Sequence, residues 1–160
     1  MKKQQRIIEY NFYNHISELD DLSISLISGA KKACKDAYAP YSKFKVGCAL
    51  KLENGEIVNG SNQENIAYPS GLCAERTALF YAGAKFPNLS VSKLAIVSEG
   101  QLIQSNQVLS PCGSCRQVMA ETVKRQGKEF EIILVNNDDS IMVFSGIESL
   151  LPFVFGNKEK

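Results

Sequence analysis

Phe44-Lys45-Val46-Gly47-Cys48-Ala49-Leu50-Lys51-Leu52-Glu53-Asn54-Gly55-Glu56-Ile57-Val58-Asn59-Gly60 reads as two strands joined by a tight turn. Phe44–Leu52 has strand character, Asn54-Gly55 is a strong hairpin signal, and Glu56–Gly60 returns antiparallel. Downstream, a loop over 61–72 leads into a helix from about Cys73 to Ala84, and Leu94–Ser98 is a short apolar strand. Ser110-Pro111 opens another helix that reaches about Arg125, with serine at the N-cap and proline at the first helical position. Phe130–Val135 and Ile141–Phe144 are strands joined by the turn-like Asn136-Asn137-Asp138-Asp139, and a short helix covers about Ile147–Leu151.

Upstream, Ile27, Ala30, Cys34 and Ala37 recur at helical spacing in a helix from about Leu22 to Tyr38, which Pro40 ends. Residues 1–21 form a polar, mixed lead-in, in which Ile7, Ile8, Tyr10, Phe12 and Tyr13 could make an edge strand. The order αββαβαββα predicts an α/β layered domain over residues 22–156, with 157–160 as a tail. Its strand-helix-strand units should make right-handed crossovers that put helices on the sheet faces.

The chain has 160 residues, 44% hydrophobic and 22% charged, enough for one domain with a real core. Its net charge of +1 and lack of any Lys/Arg-rich run give no case for a nucleic-acid partner. No stretch approaches the roughly 18 apolar residues of a membrane helix. No long apolar run follows the first residues, which argues against a secretory signal. Five cysteines in no framework spacing point to a reducing, cytoplasmic setting. Cys34 and Cys48 read as small buried hydrophobes. A single histidine, His15, excludes a multi-histidine zinc site within the chain and reads as a surface residue.

The chemistry concentrates in Cys73-Ala74-Glu75-Arg76 and Pro111-Cys112-Gly113-Ser114-Cys115-Arg116. Cys73, Cys112 and Cys115 fall in the first turns of predicted helices, where unpaired N–H groups and the helix dipole favour thiolates. Three thiolates around one zinc leave a fourth position for water, the arrangement of a catalytic site. Glu75 lies two residues from a ligand, within reach of that water as a proton acceptor. Three thiolates also leave the metal with excess negative charge, which Arg76 and Arg116 could offset by hydrogen bonds to sulfur. Cys112 and Cys115 alone would fit a structural zinc knuckle or a redox pair equally well; the upstream C-A-E removes most of that ambiguity.

The chain resembles the small zinc-dependent cytidine deaminases. The resemblance rests on these two segments together with residues 37–47 (AYAPYSKFKVG) and 62–68 (NQENIAY). It implies a three-layer α/β/α cytidine-deaminase-like domain, which with the strands above has a five-stranded mixed sheet. It further implies one zinc per subunit on Cys73, Cys112 and Cys115, with Glu75 as proton shuttle. Asn62 and Glu64 would bind the ribose 3′-hydroxyl, Phe44 would pack on the pyrimidine, and the backbone at Ala74 and near Ser110 would read the base edge. Phe155 and Tyr68 would reach a neighbouring subunit's site, so the resemblance implies a homotetramer with shared active sites. The implied activity is hydrolytic deamination of cytidine and 2′-deoxycytidine in pyrimidine salvage. The rivals are a deaminase of another cytosine nucleoside such as blasticidin S, a polynucleotide-editing deaminase, and a structural zinc module. Gln63 departs from the aliphatic residue common between Asn and Glu but spares both contact residues.

Overall fold

A computed structural model describes residues 1–104 and 107–156; the tail assigned to 157–160 lies outside the described residues. The strands are β1 (Asn11–Tyr13), β2 (Lys45–Leu52), β3 (Ile57–Ser61), β4 (Val91–Glu99), β5 (Glu131–Val135) and β6 (Ile141–Phe144). The helices are α1 (Asp21–Lys35), α2 (Ala74–Lys85) and α3 (Gly113–Gln126). One mixed sheet runs in the order β1-β6-β5-β4-β2-β3, with β4 and β5 parallel and the other pairs antiparallel.

Helices cover both faces, so the central strands are apolar on both sides. Alternation sorts their side chains. Ala49, Ala95, Val97 and Ile133 pack with Leu26, Ile27, Ala30 and Cys34 of α1. Cys48, Leu50, Leu94, Ile96, Ile132 and Leu134 point the other way, onto Ala74, Ala78 and Leu79 of α2 and Met119 of α3. Cys34 and Cys48 are fully buried as expected, and burial raises both thiols, Cys34 to about 11.

The sheet has six strands, not five, because Asn11–Tyr13 of the lead-in pairs with β6. The apolar residues before it, Ile7, Ile8 and Tyr10, stay outside the strand. Tyr10 stacks near Phe144, with ring centroids 5.4 Å apart. Arg6 donates to the Pro152 carbonyl and lies 5.8 Å from the Phe153 ring centre. The extension thus lies against the C-terminal segment.

Helix boundaries differ where the backbone is engaged elsewhere. The first helix stops at Lys35 rather than Tyr38, because Tyr38 is bonded to the Asn62 carbonyl and the Glu64 amide. The helix expected from Ser110 begins at Gly113, with extended Cys112 as its N-cap. Pro111 therefore precedes the helix instead of opening it. The last helix is a three-residue 3-10 turn, Ile147–Ser149. His15 is exposed and caps a short 3-10 turn.

Asp20 caps α1 by accepting from the Ser23 amide at 2.9 Å and the Ser23 hydroxyl at 2.6 Å. Those bonds, with Lys93 adding a smaller effect, hold its pKa down at about 2. Asp20→Ala should cost about 1 kcal/mol in urea unfolding at neutral pH, the usual cost of a lost cap. A carboxyl lowered on folding stabilises above its unfolded pKa of about 4. The wild-type advantage should therefore hold above pH 4 and vanish as pH falls through about 2.

Candidate active site

α2 and α3 both point their N-termini at one spot beside the sheet. Cys73 is the N-cap of α2, Cys112 is the N-cap of α3, and Cys115 lies in the first turn of α3. Two of the cysteines thus sit one step outside the helix proper, still beside its free N–H groups. Their three Sγ atoms lie within 4.8 Å of one another, with Cys73 to Cys112 at 3.9 Å and Cys112 to Cys115 at 3.4 Å. Tetrahedral zinc with bonds of about 2.3 Å to sulfur requires ligand sulfurs about 3.8 Å apart. The trio fits that spacing.

The electrostatics favour the thiolate at Cys73, with Cys115 as its proton donor. A hydrogen bond from the Cys115 thiol, aided by Arg76 and Cys112, outweighs burial and lowers Cys73 to about 5. The same bond, with burial and the nearby Glu75, raises Cys115. Arg76 Nη2 is 3.8 Å from Cys73 Sγ and 3.4 Å from the Gly71 carbonyl, so it faces the sulfur as expected. Arg116 does not. Its guanidinium donates to the Pro111 carbonyl at 2.8 Å, the Leu150 carbonyl at 2.7 Å and Ser110 Oγ at 2.7 Å. A fork engaged at all three nitrogens ties α3 to the C-terminal segment and is not spent on the cysteines.

Glu75 is the second residue of α2 and only 4% exposed. Burial raises its pKa; its own amide offsets part of that rise, and the Cys73 sulfur adds to it. Glu75 opens onto a cavity of about 530 Å³, whose lining includes Phe44, Asn62, Glu64, Tyr68, Cys73, Arg76 and Cys112. Most of the residues singled out by sequence therefore converge on one space. Ala74, Cys115 and Phe155 are not among its lining residues: Ala74 and Cys115 are fully buried behind it, and Phe155 is 89% exposed.

Asn62 and Glu64 also organise the loop before β2. Asn62 Oδ1 accepts from the Val46 amide at 2.8 Å, and Nδ2 donates to the Phe44 carbonyl at 2.9 Å. One Nδ2 hydrogen is left for a ligand. Glu64 accepts from the Tyr41 and Ser42 amides at 2.9 and 3.3 Å and from the Ser42 hydroxyl, which leads the lowering of its pKa. Lys43 then takes a left-handed φ of 58°, a strained turn that carries the chain into Phe44. Leu102, Ile103 and Leu109 also line the cavity. They lie in an aperiodic connection, so spacing gave no sign of them. The one available signal is the short distance from Leu109 to Cys112 along the chain.

A profile of the cytidine and deoxycytidylate deaminase zinc-binding region matches residues 22–127. The chain belongs to this family. It is a zinc-binding deaminase, a hydrolase of carbon–nitrogen bonds. A cytidine deaminase from Halalkalibacterium halodurans is 38% identical over 130 residues, 81% of this chain and 91% of that protein. One from Sporosarcina psychrophila is 49% identical over 96 residues, 60% of this chain and 66% of that protein. The crystal structure of a cytidine deaminase from Burkholderia pseudomallei superposes with a TM-score of 0.69 at 39% identity, covering 82% of this chain and 97% of that one. The lead-in before residue 22, including β1, lies outside the family match.

Proposed function

We propose that this deaminase hydrolyses the C4 amino group of cytidine and 2′-deoxycytidine, releasing ammonia and the corresponding uridine, in pyrimidine salvage. The observation that carries this reading is a buried carboxylate beside a three-thiol group on a cavity lined by an aromatic ring and a sugar-sized polar pair: Glu75, Phe44, Asn62 and Glu64.

Cys73, Cys112 and Cys115 would hold the zinc, which would supply the Lewis acidity that lets water react at neutral pH. Glu75 takes a proton from the attacking water as the water oxygen forms a bond to C4, and delivers the proton to N3. The same carboxylate then passes the remaining hydroxyl proton to the departing nitrogen as the C4–N bond breaks. A carboxyl whose pKa is raised by burial is suited to giving the proton back as well as taking it. Arg76 draws charge from the Cys73 sulfur and so limits the excess that three thiolates impose. Phe44 offers a flat apolar surface to the base, and the backbone at Ala74 and near Ser110 reads its edge. Glu64, with the free hydrogen of Asn62, accepts and donates to the ribose 3′-hydroxyl.

In this reading residues 22–156 carry the catalytic machinery, 1–21 are an extension that adds β1 to its sheet, and the protein acts in the cytoplasm. Among the described residues no helix is long and apolar enough to cross a membrane. The exposure of Phe155 and Tyr68, at 89% and 88%, supports a homotetramer in which these residues meet neighbouring sites, Tyr68 from the rim of its own cavity.

The test is steady-state kcat/KM for cytidine, deoxycytidine, cytosine, CMP, dCMP and blasticidin S, followed as loss of the cytosine absorbance. The two nucleosides should lead. A phosphorylated substrate in front would overturn the roles of Asn62 and Glu64, and blasticidin S in front would move the enzyme to the rival nucleoside class.

A further inference from the structure

The connection from β4 to α3 supplies Leu102, Ile103, Leu109 and Ser110 to the cavity and runs directly into Cys112. Leu109 is buried in the core and Ile103 packs against it, while Leu102 is 67% exposed, so apolar packing anchors this wall at two points and polar contacts must fix the rest. Two asparagines of the β5–β6 turn grip it, and neither lines the cavity itself.

Asn136 is 7% exposed, and its Oδ1 accepts from the buried Leu109 amide at 3.0 Å. Its Nδ2 donates to Ser140 Oγ at 3.0 Å, so the side chain cannot turn away without losing both partners. A buried amide needs such a partner, and Leu109 finds it in a side chain rather than in a strand. Asn137 Nδ2 donates to the Ile103 carbonyl at 2.7 Å, and its Oδ1 faces Ser98 Oγ at 3.5 Å. The turn that carries both asparagines is itself pinned. The Asn136 amide donates to the Ser140 carbonyl at 2.9 Å, and Asp138 accepts from the Ser140 amide and hydroxyl at 3.0 and 2.6 Å. The grips act at the carboxyl ends of the parallel strands β4 and β5, where open α/β sheets place their ligands.

We propose that Asn136 and Asn137 are positioning residues for substrate: they hold the connection at Leu109 and Ile103, and through it set the width of the cavity and the placement of the Ser110 backbone. The assignment rests on the proposed function for the identity of the substrate. The two side chains work with opposite polarity, Asn136 as acceptor and Asn137 as donor, and this makes the proposal specific. Aspartate keeps the first contact and abolishes the second.

The test uses the full-length zinc-loaded protein and four variants, Asn136→Ala, Asn136→Asp, Asn137→Ala and Asn137→Asp. Amide hydrogen exchange over residues 100–104 and 107–110 is read alongside kcat, KM and zinc content. Asn137→Ala and Asn137→Asp should both speed exchange there at least tenfold and raise KM for cytidine about five- to tenfold, with kcat within twofold and zinc retained. Asn136→Ala should do the same at 107–110, and Asn136→Asp, which keeps the acceptor for Leu109 but loses the donor to Ser140, should fall between wild type and Asn136→Ala in both exchange and KM. Unchanged exchange and KM in both Asn137 variants would overturn the proposal, as would Asn136→Asp matching Asn136→Ala. The Asn137 pair, on an exposed residue, decides alone if Asn136→Ala does not fold. If the wild type turns over no cytidine, the proposed function fails while the exchange data still judge the grip.

Discussion

Glu75→Gln should lower kcat for cytidine about 10⁴-fold while leaving zinc content at one per chain. Glutamine keeps the shape and one acceptor oxygen but cannot carry a proton at neutral pH. Glu75 is not one of the three sulfur donors, so the metal has no reason to leave. Positioned acid–base groups contribute typically 10²–10⁴ in rate, and here one carboxylate serves two successive transfers, which places the expected loss at the upper end. The side chain is 4% exposed, so bulk buffer has little access to replace it. Metal analysis with single-turnover kinetics separates the outcomes. A loss under tenfold with full zinc would remove Glu75 from the proton path, and loss of zinc would show that it supports the ligands instead.

The parts legible in sequence were those with periodicity or a motif. β6 was read residue for residue, since Ile141–Phe144 is bounded by turn residues on one side and Ser145 on the other. The three cysteines and Glu75 were legible because ligand chemistry limits which residue types can serve. Tertiary choices were harder to see. Asn11–Tyr13 is too short to announce itself as a strand and becomes one only because β6 offers a free edge. Ser110-Pro111 carries a good helix-start signal, but Ser110 Oγ is taken by Arg116 and the cap passes to Cys112. Arg116 was misread for the same reason. Adjacency to Cys115 in sequence suggested sulfur, while Pro111 and Leu150 placed their carbonyls nearer. Asn136 and Asn137 looked like turn residues and nothing more, because what they hold lies 27 and 34 residues away along the chain.

Gly60→Ala should damage activity out of proportion to its cost in stability. A Cβ on Gly60 would lie 2.6 Å from the Ala74 carbonyl oxygen and 2.7 Å from the Ala78 amide nitrogen. Both are backbone atoms of the first turns of α2, so no side chain can swing aside and the helix itself must shift. Overpacking of this kind costs typically about 1–3 kcal/mol, and rigid neighbours put it near 3. The displaced turn follows Cys73 and contains Glu75, so the shift passes directly into the metal ligand and the proton carrier. A misplacement of about 1 Å can cost 10² in rate, and kcat/KM should fall by about that factor with weakened zinc retention against a chelator. Gly47→Ala is the control. Its Cβ would lie 2.0 Å from the Ala30 carbonyl oxygen and 2.6 Å from the Cys34 amide, a harsher clash, but with α1 on the opposite face of the sheet. Gly47→Ala should therefore lose more stability and, in whatever fraction folds, keep the higher kcat/KM per bound zinc. The reverse ranking would mean that the approach of α2 to β3 does not set the site's geometry.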